Sequence, residues 1–272
     1  MQRRRFGSTG FEVPVIGQGT WPLPDQAALK RGIDLGMTHI DTAEMYGDGR
    51  SEEIVGAAIA PYPRRSLFIV SKFVPSNGTS KRLQSACERS LRRLRTDYLD
   101  CYLLHWRGGV DLTEAMVGLG ALLEAGKIRS LGVSNLDPWD LREAAQGLRG
   151  ARIACDQVLY NLDERTPEAN ELPWCRDNDA ALVAYTPLGR PRDRAAEAVL
   201  TDIADEYSVT NEAVALAFLV RDPLAFAIPK ANVLAHVEAN AAAGDLLLSD
   251  DEIKRIDAAY PVRKRSGALP MN

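Results

Sequence analysis

Four side chains along this 272-residue chain are suited to moving a proton: Asp41, Tyr46, Lys72 and His105. Asp41 and Tyr46 share one stretch, Asp41-Thr42-Ala43-Glu44-Met45-Tyr46-Gly47. A phenol works as a general acid near neutrality when its surroundings lower its ordinary value of about 10. Lys72 or His105 could supply the charge that does so. Taken singly, each residue has an ordinary explanation. Asp41 could be a turn residue, Tyr46 a loop aromatic, Lys72 a snorkelling surface lysine, and His105 a satisfied core histidine beside Trp106.

Their positions argue otherwise, because each lies where an apolar run stops. Asp41 closes a short strand over residues 38–41, Lys72 ends Leu67-Phe68-Ile69-Val70-Ser71, and His105 ends the run 98–105. The last run is apolar almost continuously rather than alternately, as strands buried on both faces of a parallel sheet require. Further strands are expected over 15–20, 128–133, 153–158, 180–185 and 226–229, giving eight from Val15 to Ile228. Helical patterns separate nearly all of them. Asp25 caps a helix reaching Gly36, and Ser51 caps the next, with Glu52 and Glu53 in its first turn. Leu83, Ala86, Cys87, Leu91 and Leu94 fall on one helical face, as do Leu112, Met116, Leu119 and Leu123 before Gly126. Asp137-Pro138 and Thr166-Pro167 each read as a helix start. Helices follow over 195–206, 211–221, 233–242 and 248–259, the last opened by a Ser249/Glu252 capping box.

Strict alternation of strand and helix implies parallel strands with helical crossovers. Eight units in this length predict an α/β fold, a (β/α)8 TIM barrel, preceded by a β-hairpin over residues 3–16. No linker, repeat or low-complexity tract divides the chain, so residues 1–272 read as one domain. Barrel enzymes draw their catalytic groups from the C-terminal ends of strands and the loops just after them. All four candidates belong to that one face.

Composition sets the outer limits. A formal charge of −4 gives no global field that favours nucleic acid. The basic clusters Arg3-Arg4-Arg5 and Arg263-Lys264-Arg265 read as solvated termini. Cys87, Cys101, Cys155 and Cys175 are widely spaced with no C-x-x-C pair, and with three histidines in the chain no metal site is expected. They read as small buried hydrophobes in a reducing compartment. The polar, basic start lacks an apolar signal segment, and no run of about 18 apolar residues occurs that could span a membrane. A soluble, cytoplasmic monomer acting on a small molecule is the expectation.

Several stretches together carry a family resemblance: Gly17-Gln18-Gly19-Thr20-Trp21, the Asp41–Gly47 stretch, Ser71-Lys72, Leu103-Leu104-His105-Trp106, Gly132-Val133-Ser134-Asn135, Gln157, Tyr185-Thr186-Pro187-Leu188-Gly189 and Ile228-Pro229-Lys230. In their order and spacing the chain resembles the aldo-keto reductases over essentially its full length, the short-loop bacterial branch more than the mammalian aldose reductases. The resemblance implies carbonyl reduction by hydride transfer from a nicotinamide. Tyr46 would be the general acid, Lys72 held by Asp41 would stabilise the phenolate, and His105 would orient and polarise the carbonyl. It also implies cofactor contacts from Gly19, Thr20 and Asp41, with Ser134, Asn135 and Gln157 on the carboxamide and Tyr185 stacked on the ring. Leu188 and Gly189 would follow the pyrophosphate, and Lys230 would meet the 2′-phosphate of NADPH.

Generic nucleotide motifs are absent: Gly17-x-Gly19 lacks the third glycine of a dinucleotide fingerprint, and no P-loop pattern occurs. The segment after Lys230 departs from the family's commonest pattern. Ala231 replaces a serine, Ala239 an acidic residue, and His236 stands where an arginine commonly clamps the phosphate; Asn240 matches the usual adenine contact. Replacing a fixed cation by a largely neutral histidine weakens phosphate binding, so NADPH is the expected cofactor with NADH also open.

Trp21 and Trp106 would wall the substrate pocket above Tyr46 and His105. The covering loops are short, at 107–110, at 190–194 and in the tail after Tyr260, which predicts an open mouth and broad specificity. Arg107, Arg190 and Arg192 could draw anionic carbonyl compounds. Two other readings stand beside a reductase: a nucleotide-sensing regulatory subunit of the same fold, and an unrelated barrel isomerase or hydrolase. Turnover with a panel of aldehydes separates the first, and cofactor titration the second.

Overall fold

Strands that are apolar on both faces need cover inside and outside, and a closed barrel wrapped in helices supplies it. The computed structural model describes residues 1–148, 150–189, 194–263, 265 and 269–271. An antiparallel hairpin comes first, β1 (Arg3–Arg5) and β2 (Glu12–Pro14), joined through a 3-10 turn at Gly7–Thr9. Eight parallel strands follow: β3 (Gln18–Gly19), β4 (His39–Asp41), β5 (Phe68–Phe73), β6 (Cys101–Leu104), β7 (Leu131–Ser134), β8 (Ile153–Leu159), β9 (Ala181–Tyr185) and β10 (Ala225–Ala227). Their order in the sheet is their order in the chain. The first edge meets the last: Ile16 bridges Ala227, and the Gly17 and Gly19 N–H groups donate to the carbonyls of Ala227 and Pro229 at 2.8 and 3.0 Å. The expected (β/α)8 barrel with its N-terminal hairpin is the fold.

The crossovers are helices. After β3 to β8 in turn come α1 (Gln26–Asp34), α2 (Arg50–Ile59), α3 (Ser80–Leu94), α4 (Leu112–Glu124), α5 (Pro138–Gln146) and α6 (Glu171–Asn178). Both α7 (Arg194–Tyr207) and α8 (Asn211–Leu219) precede β10, and α9 (Leu234–Ala243) and α10 (Asp250–Ala259) follow it. Among the described residues no helix is long and apolar enough to cross a membrane.

Strand residues alternate between faces, and the two faces here have different partners. Ile69, Phe73, Tyr102, Leu104, Leu182 and Ala184 pack outward with helix residues such as Leu83 and Met116. Phe68, Val70, Cys101, Leu103, Cys155, Val183 and Phe226 form a separate core inside the barrel. Phe6 from the hairpin turn closes its lower end, its ring 4.8 Å from Phe68 and 5.0 Å from Phe226. The same inward rows, followed two residues upward, arrive at Asp41, Lys72, His105, Gln157 and Tyr185. Strand period alone therefore gathers these side chains at the top of one interior.

Most helix starts are as the sequence implies. Asp25 accepts from the Ala28 N–H, Asp137 from those of Trp139 and Asp140, and Ser249 with Glu252 forms the reciprocal box. Two differ. Gly49, with φ 89°, caps α2, while the Ser51 hydroxyl donates to Thr20 Oγ1 at 2.8 Å and accepts from Thr42 Oγ1 at 3.1 Å. Thr166-Pro167 opens only a short 3-10 turn, because the Thr166 hydroxyl is engaged by Glu164, and α6 starts later. In each case a tertiary or local acceptor outcompetes the cap.

The basic clusters are not simply solvated. Arg4 donates to the carbonyls of Val220 and Asp222 at 2.6 and 2.8 Å, closing the foot of the barrel. Arg265 meets Glu171, a carboxylate with no exposed side-chain surface, at 2.5 Å. Lys264 lies outside the described residues.

His39 provides a pH test of the lower core. It is wholly buried against Phe6 and Phe68, and neither ring nitrogen has a partner among the described residues. Burial first, and Lys72 second, push it down to about 3 from 6.5. The folded-state value lies below the unfolded one, so the neutral form's stability is intact above pH 6.5 and is lost as the pH falls towards 3. Between pH 7 and 5 wild type should lose about 2 kcal/mol relative to His39→Leu. Urea unfolding of both proteins at the two pH values measures it; a constant difference between them refutes the assignment.

Candidate active site

Lys72 at the end of β5 has no exposed side-chain surface and three protons to place. They go to Asp41 Oδ1 at 2.5 Å, the Thr42 carbonyl at 3.0 Å and the Tyr46 hydroxyl at 3.2 Å. The second Asp41 oxygen accepts from Gln157 Nε2 at 2.7 Å. His105 stands edge-on to Tyr46, with ring centroids 5.6 Å apart. Its backbone is fixed from both sides: its N–H donates to the Phe73 carbonyl at 3.0 Å, and its carbonyl accepts from Asn135 Nδ2 at 3.2 Å. Three strand ends and one loop thus bring the four predicted residues together.

Burial shapes their protonation. It opposes the Lys72 ammonium, yet Asp41 and the Tyr46 oxygen hold that group above the ordinary lysine value. Burial also pushes the Asp41 carboxyl up, against Lys72 and Gln157. With one oxygen 2.5 Å from an ammonium and the other on an amide donor, the ion pair is the form we assign. The Tyr46 phenol is pushed up by burial, and Lys72 pulls it down without cancelling that. The expected fall towards neutrality is therefore not met in the protein alone, and Tyr46 carries its proton. His105 is pushed down to about 2, by burial and then by Lys72, so it is a neutral imidazole. Its Nδ1 is buried without a partner among the described residues, which leaves the other nitrogen for the cleft.

Asp41, Tyr46 and His105 border a cleft of about 640 Å³, and Lys72 lies behind them. Trp21, Tyr46, His105 and Trp106 line one part of it. Gly19, Thr20, Asp41, Ser134, Asn135, Gln157, Tyr185, Leu188, Gly189 and Lys230 line the rest. Gly19 has no room for a side chain: a Cβ there would lie 2.6 Å from the Ile228 carbonyl oxygen. Asn135 adopts φ 57° and accepts from the Tyr185 hydroxyl at 2.9 Å, so amide and ring brace each other. Thr186, β-branched, sits at φ 48°, a strained conformation of the kind that accumulates at functional sites. Bare backbone, converging amides, an aromatic face and the Lys230 ammonium are a donor set that suits a dinucleotide. His236, exposed on the first turn of α9, and Asn240, buried on the same helix, do not border this cleft.

Residues 16–261 match the profile of the aldo/keto reductase family. The chain belongs to that family. It is 42% identical to methylglyoxal reductase YeaE of Escherichia coli, over the full length of both proteins. An aldo/keto reductase from Klebsiella pneumoniae, crystallised with NADP and acetate, superposes with a TM-score of 0.91 at 41% identity, again over all of both chains. A Klebsiella pneumoniae structure with NADPH gives 0.90 at 42%, covering 100% of this chain and 99% of the other.

Some features of this aldo/keto reductase escape sequence reasoning. Arg107 is not free to draw anions, since its guanidinium binds Asp140 and, at 2.9 Å, Glu143 on α5. Arg190 and Arg192 lie outside the described residues. Met45 and Met271 also line the cleft. Met45 could have been suspected from its place beside Tyr46; Met271, far along the chain, carries no local signal.

Proposed function

We propose that this aldo/keto reductase is a one-domain, NADPH-dependent reductase of small aldehydes and ketones, methylglyoxal-like dicarbonyls and sugar aldehydes included, with Tyr46 as proton donor. The observation that carries the reading is the fully engaged Lys72, which joins Asp41 to the Tyr46 hydroxyl beside a neutral His105 at the base of a nucleotide-sized cleft. When bound, the reduced nicotinamide supplies the hydride to the carbonyl carbon. His105 gives a hydrogen bond to the carbonyl oxygen and fixes its direction, as a preorganised donor should. Tyr46 gives its proton to that oxygen as negative charge develops, and Lys72 stabilises the phenolate left behind. Asp41, locked by Gln157, keeps Lys72 charged and in place. Solvent returns the proton to Tyr46 through the open mouth.

Ser134, Asn135 and Gln157 would hold the carboxamide, and the Tyr185 ring would cover the nicotinamide. The relatives that bind NADP and NADPH support this choice of cofactor. Trp21 and Met45 are 63% and 44% exposed at the rim, which suits a wide, weakly selective entrance. Steep discrimination among aldehydes of different chain length would count against that.

Loss of NADPH absorbance with an aldehyde panel tests the activity, and binding without turnover would instead indicate a regulatory subunit. The cofactor preference has its own test. Lys230→Met should raise the KM for NADPH roughly tenfold and leave that for NADH nearly unchanged, the signature of one lost charged phosphate contact. A wild-type enzyme that prefers NADH by about tenfold or more sinks the NADPH assignment.

A further inference from the structure

Glu44 lies between Asp41 and Tyr46 in the loop after β4, yet does not border the cleft. Its carboxylate is nearly enclosed, with 8% of the side chain exposed. One oxygen, Oε1, accepts from two donors: the Val74 N–H at 2.9 Å and Asn77 Nδ2 at 2.7 Å. Both donors belong to the segment that leaves β5 just after Lys72. The backbone is joined there too, since the Glu44 N–H donates to the Lys72 carbonyl at 3.1 Å. Among the described residues the second oxygen has only a long contact, 3.5 Å, to Arg89.

The rest of the Tyr46 loop is held by short-range backbone bonds: Tyr46 to Ala43, Arg50 to Gly47, Ser51 to Tyr46. Those keep the loop's shape, while its start is joined to β5 by the Thr42 N–H, which donates to the Val70 carbonyl at 2.9 Å, and by Lys72 Nζ, which donates to the Thr42 carbonyl at 3.0 Å. The Glu44 side chain adds a tie nearer Tyr46, to the segment just beyond Lys72. We propose that Glu44 is a positioning residue, whose carboxylate bridge to Val74 and Asn77 sets the 3.2 Å separation between the Tyr46 hydroxyl and the Lys72 ammonium. The inference rests on Tyr46 as proton donor. A slack bridge lets the phenol drift from the ammonium, and Coulomb stabilisation of the phenolate falls with distance.

The chemistry of the bridge predicts which substitutions matter. Because Oε1 alone takes both hydrogen bonds, an amide oxygen can replace it, whereas a methyl group cannot. Glu44→Ala should lower kcat roughly tenfold to a hundredfold, the scale of a small misplacement of a reacting group. It should also move the alkaline limb of the kcat–pH profile upward, since the phenol loses part of the ammonium's pull. The KM for NADPH should stay within about twofold of wild type, because Glu44 does not touch the cleft. Glu44→Gln should restore most of the rate and the wild-type limb. Asn77→Ala, which removes one of the two bonds from outside the loop, should show a smaller loss in the same direction, and serves if Glu44→Ala fails to fold. Unchanged rate and pH profile in Glu44→Ala, or in Asn77→Ala where only that variant folds, would overturn the proposal. So would a Glu44→Gln variant as slow as Glu44→Ala. If wild type itself consumes no NADPH with any carbonyl compound, the functional reading fails first, before the variants are compared.

Discussion

Tyr46→Phe should lower the kcat for aldehyde reduction by roughly a thousandfold, within the range assigned to a positioned general acid. Affinity for NADPH should barely change. The substitution is close to a pure deletion of the proton, since the ring that stands edge-on to His105 is kept. Lys72 loses one of three acceptors but keeps Asp41 and the Thr42 carbonyl, so a cost of about 1–3 kcal/mol is expected in stability. Steady-state rates with one good aldehyde measure the first effect, and quenching of tryptophan fluorescence by NADPH the second. A variant that keeps more than about a tenth of the wild-type rate would remove Tyr46 from its role. Loss of binding together with rate would mean the phenol was holding the cleft open rather than donating.

Lys72→Met should be the most damaging single change in the molecule. Methionine fills a similar volume, so packing is largely preserved and the loss is electrostatic. Asp41, 2% exposed, is left as a buried carboxylate without its cation. Breaking a buried pair from one side typically costs about 3–5 kcal/mol. The sign of its pH dependence follows from burial. Without Lys72 the Asp41 carboxyl rises further above its unfolded value, so stability is regained as the pH falls and the group protonates. Catalysis should fall as well, because nothing then stabilises the phenolate. Adding Asp41→Asn to Lys72→Met should recover most of the stability at pH 7, by neutralising the orphaned charge, and none of the rate. Denaturant melts and kinetics on the single and double variants separate the two effects. Recovery of the rate in the double variant would show that Lys72 serves the fold alone.

The barrel and the meeting of Asp41, Tyr46, Lys72 and His105 were legible because their signals are periodic or local. A continuous apolar run pointed to parallel strands, and the positions of Asp41, Lys72 and His105 at strand ends placed them on one face of the barrel. Asp25, Asp137 and Ser249 cap where they stand, since their side-chain oxygens accept from the N–H groups of the next few residues. What was missed is non-local. Ser51 looks like a cap in sequence, but its hydroxyl finds Thr20 and Thr42 across the barrel rim. Arg107 reads as a free cation until α5 presents Asp140 and Glu143 to it. Arg265 looks like part of a solvated tail until folding places Glu171, which has no exposed surface, beneath it. The phenol's direction was misjudged for a similar reason: a sequence shows a cation nearby but not the desolvation that outweighs it.

The vertical layering of the barrel interior has a consequence for how such an enzyme can change. Phe6, Phe68, Val70, Leu103, Val183 and Phe226 fill the lower interior, and Asp41, Lys72, His105 and Gln157 occupy the layer above. The exposed rim residues Trp21 and Met45 form a third tier that neither supports the core nor moves a proton. Drift in that uppermost tier can trade one substrate for another at little thermodynamic risk. Hydrophobic swaps in the lowest tier can raise heat tolerance while the chemistry is untouched. Only the thin middle layer answers to both demands, and it is there that variation should be scarcest.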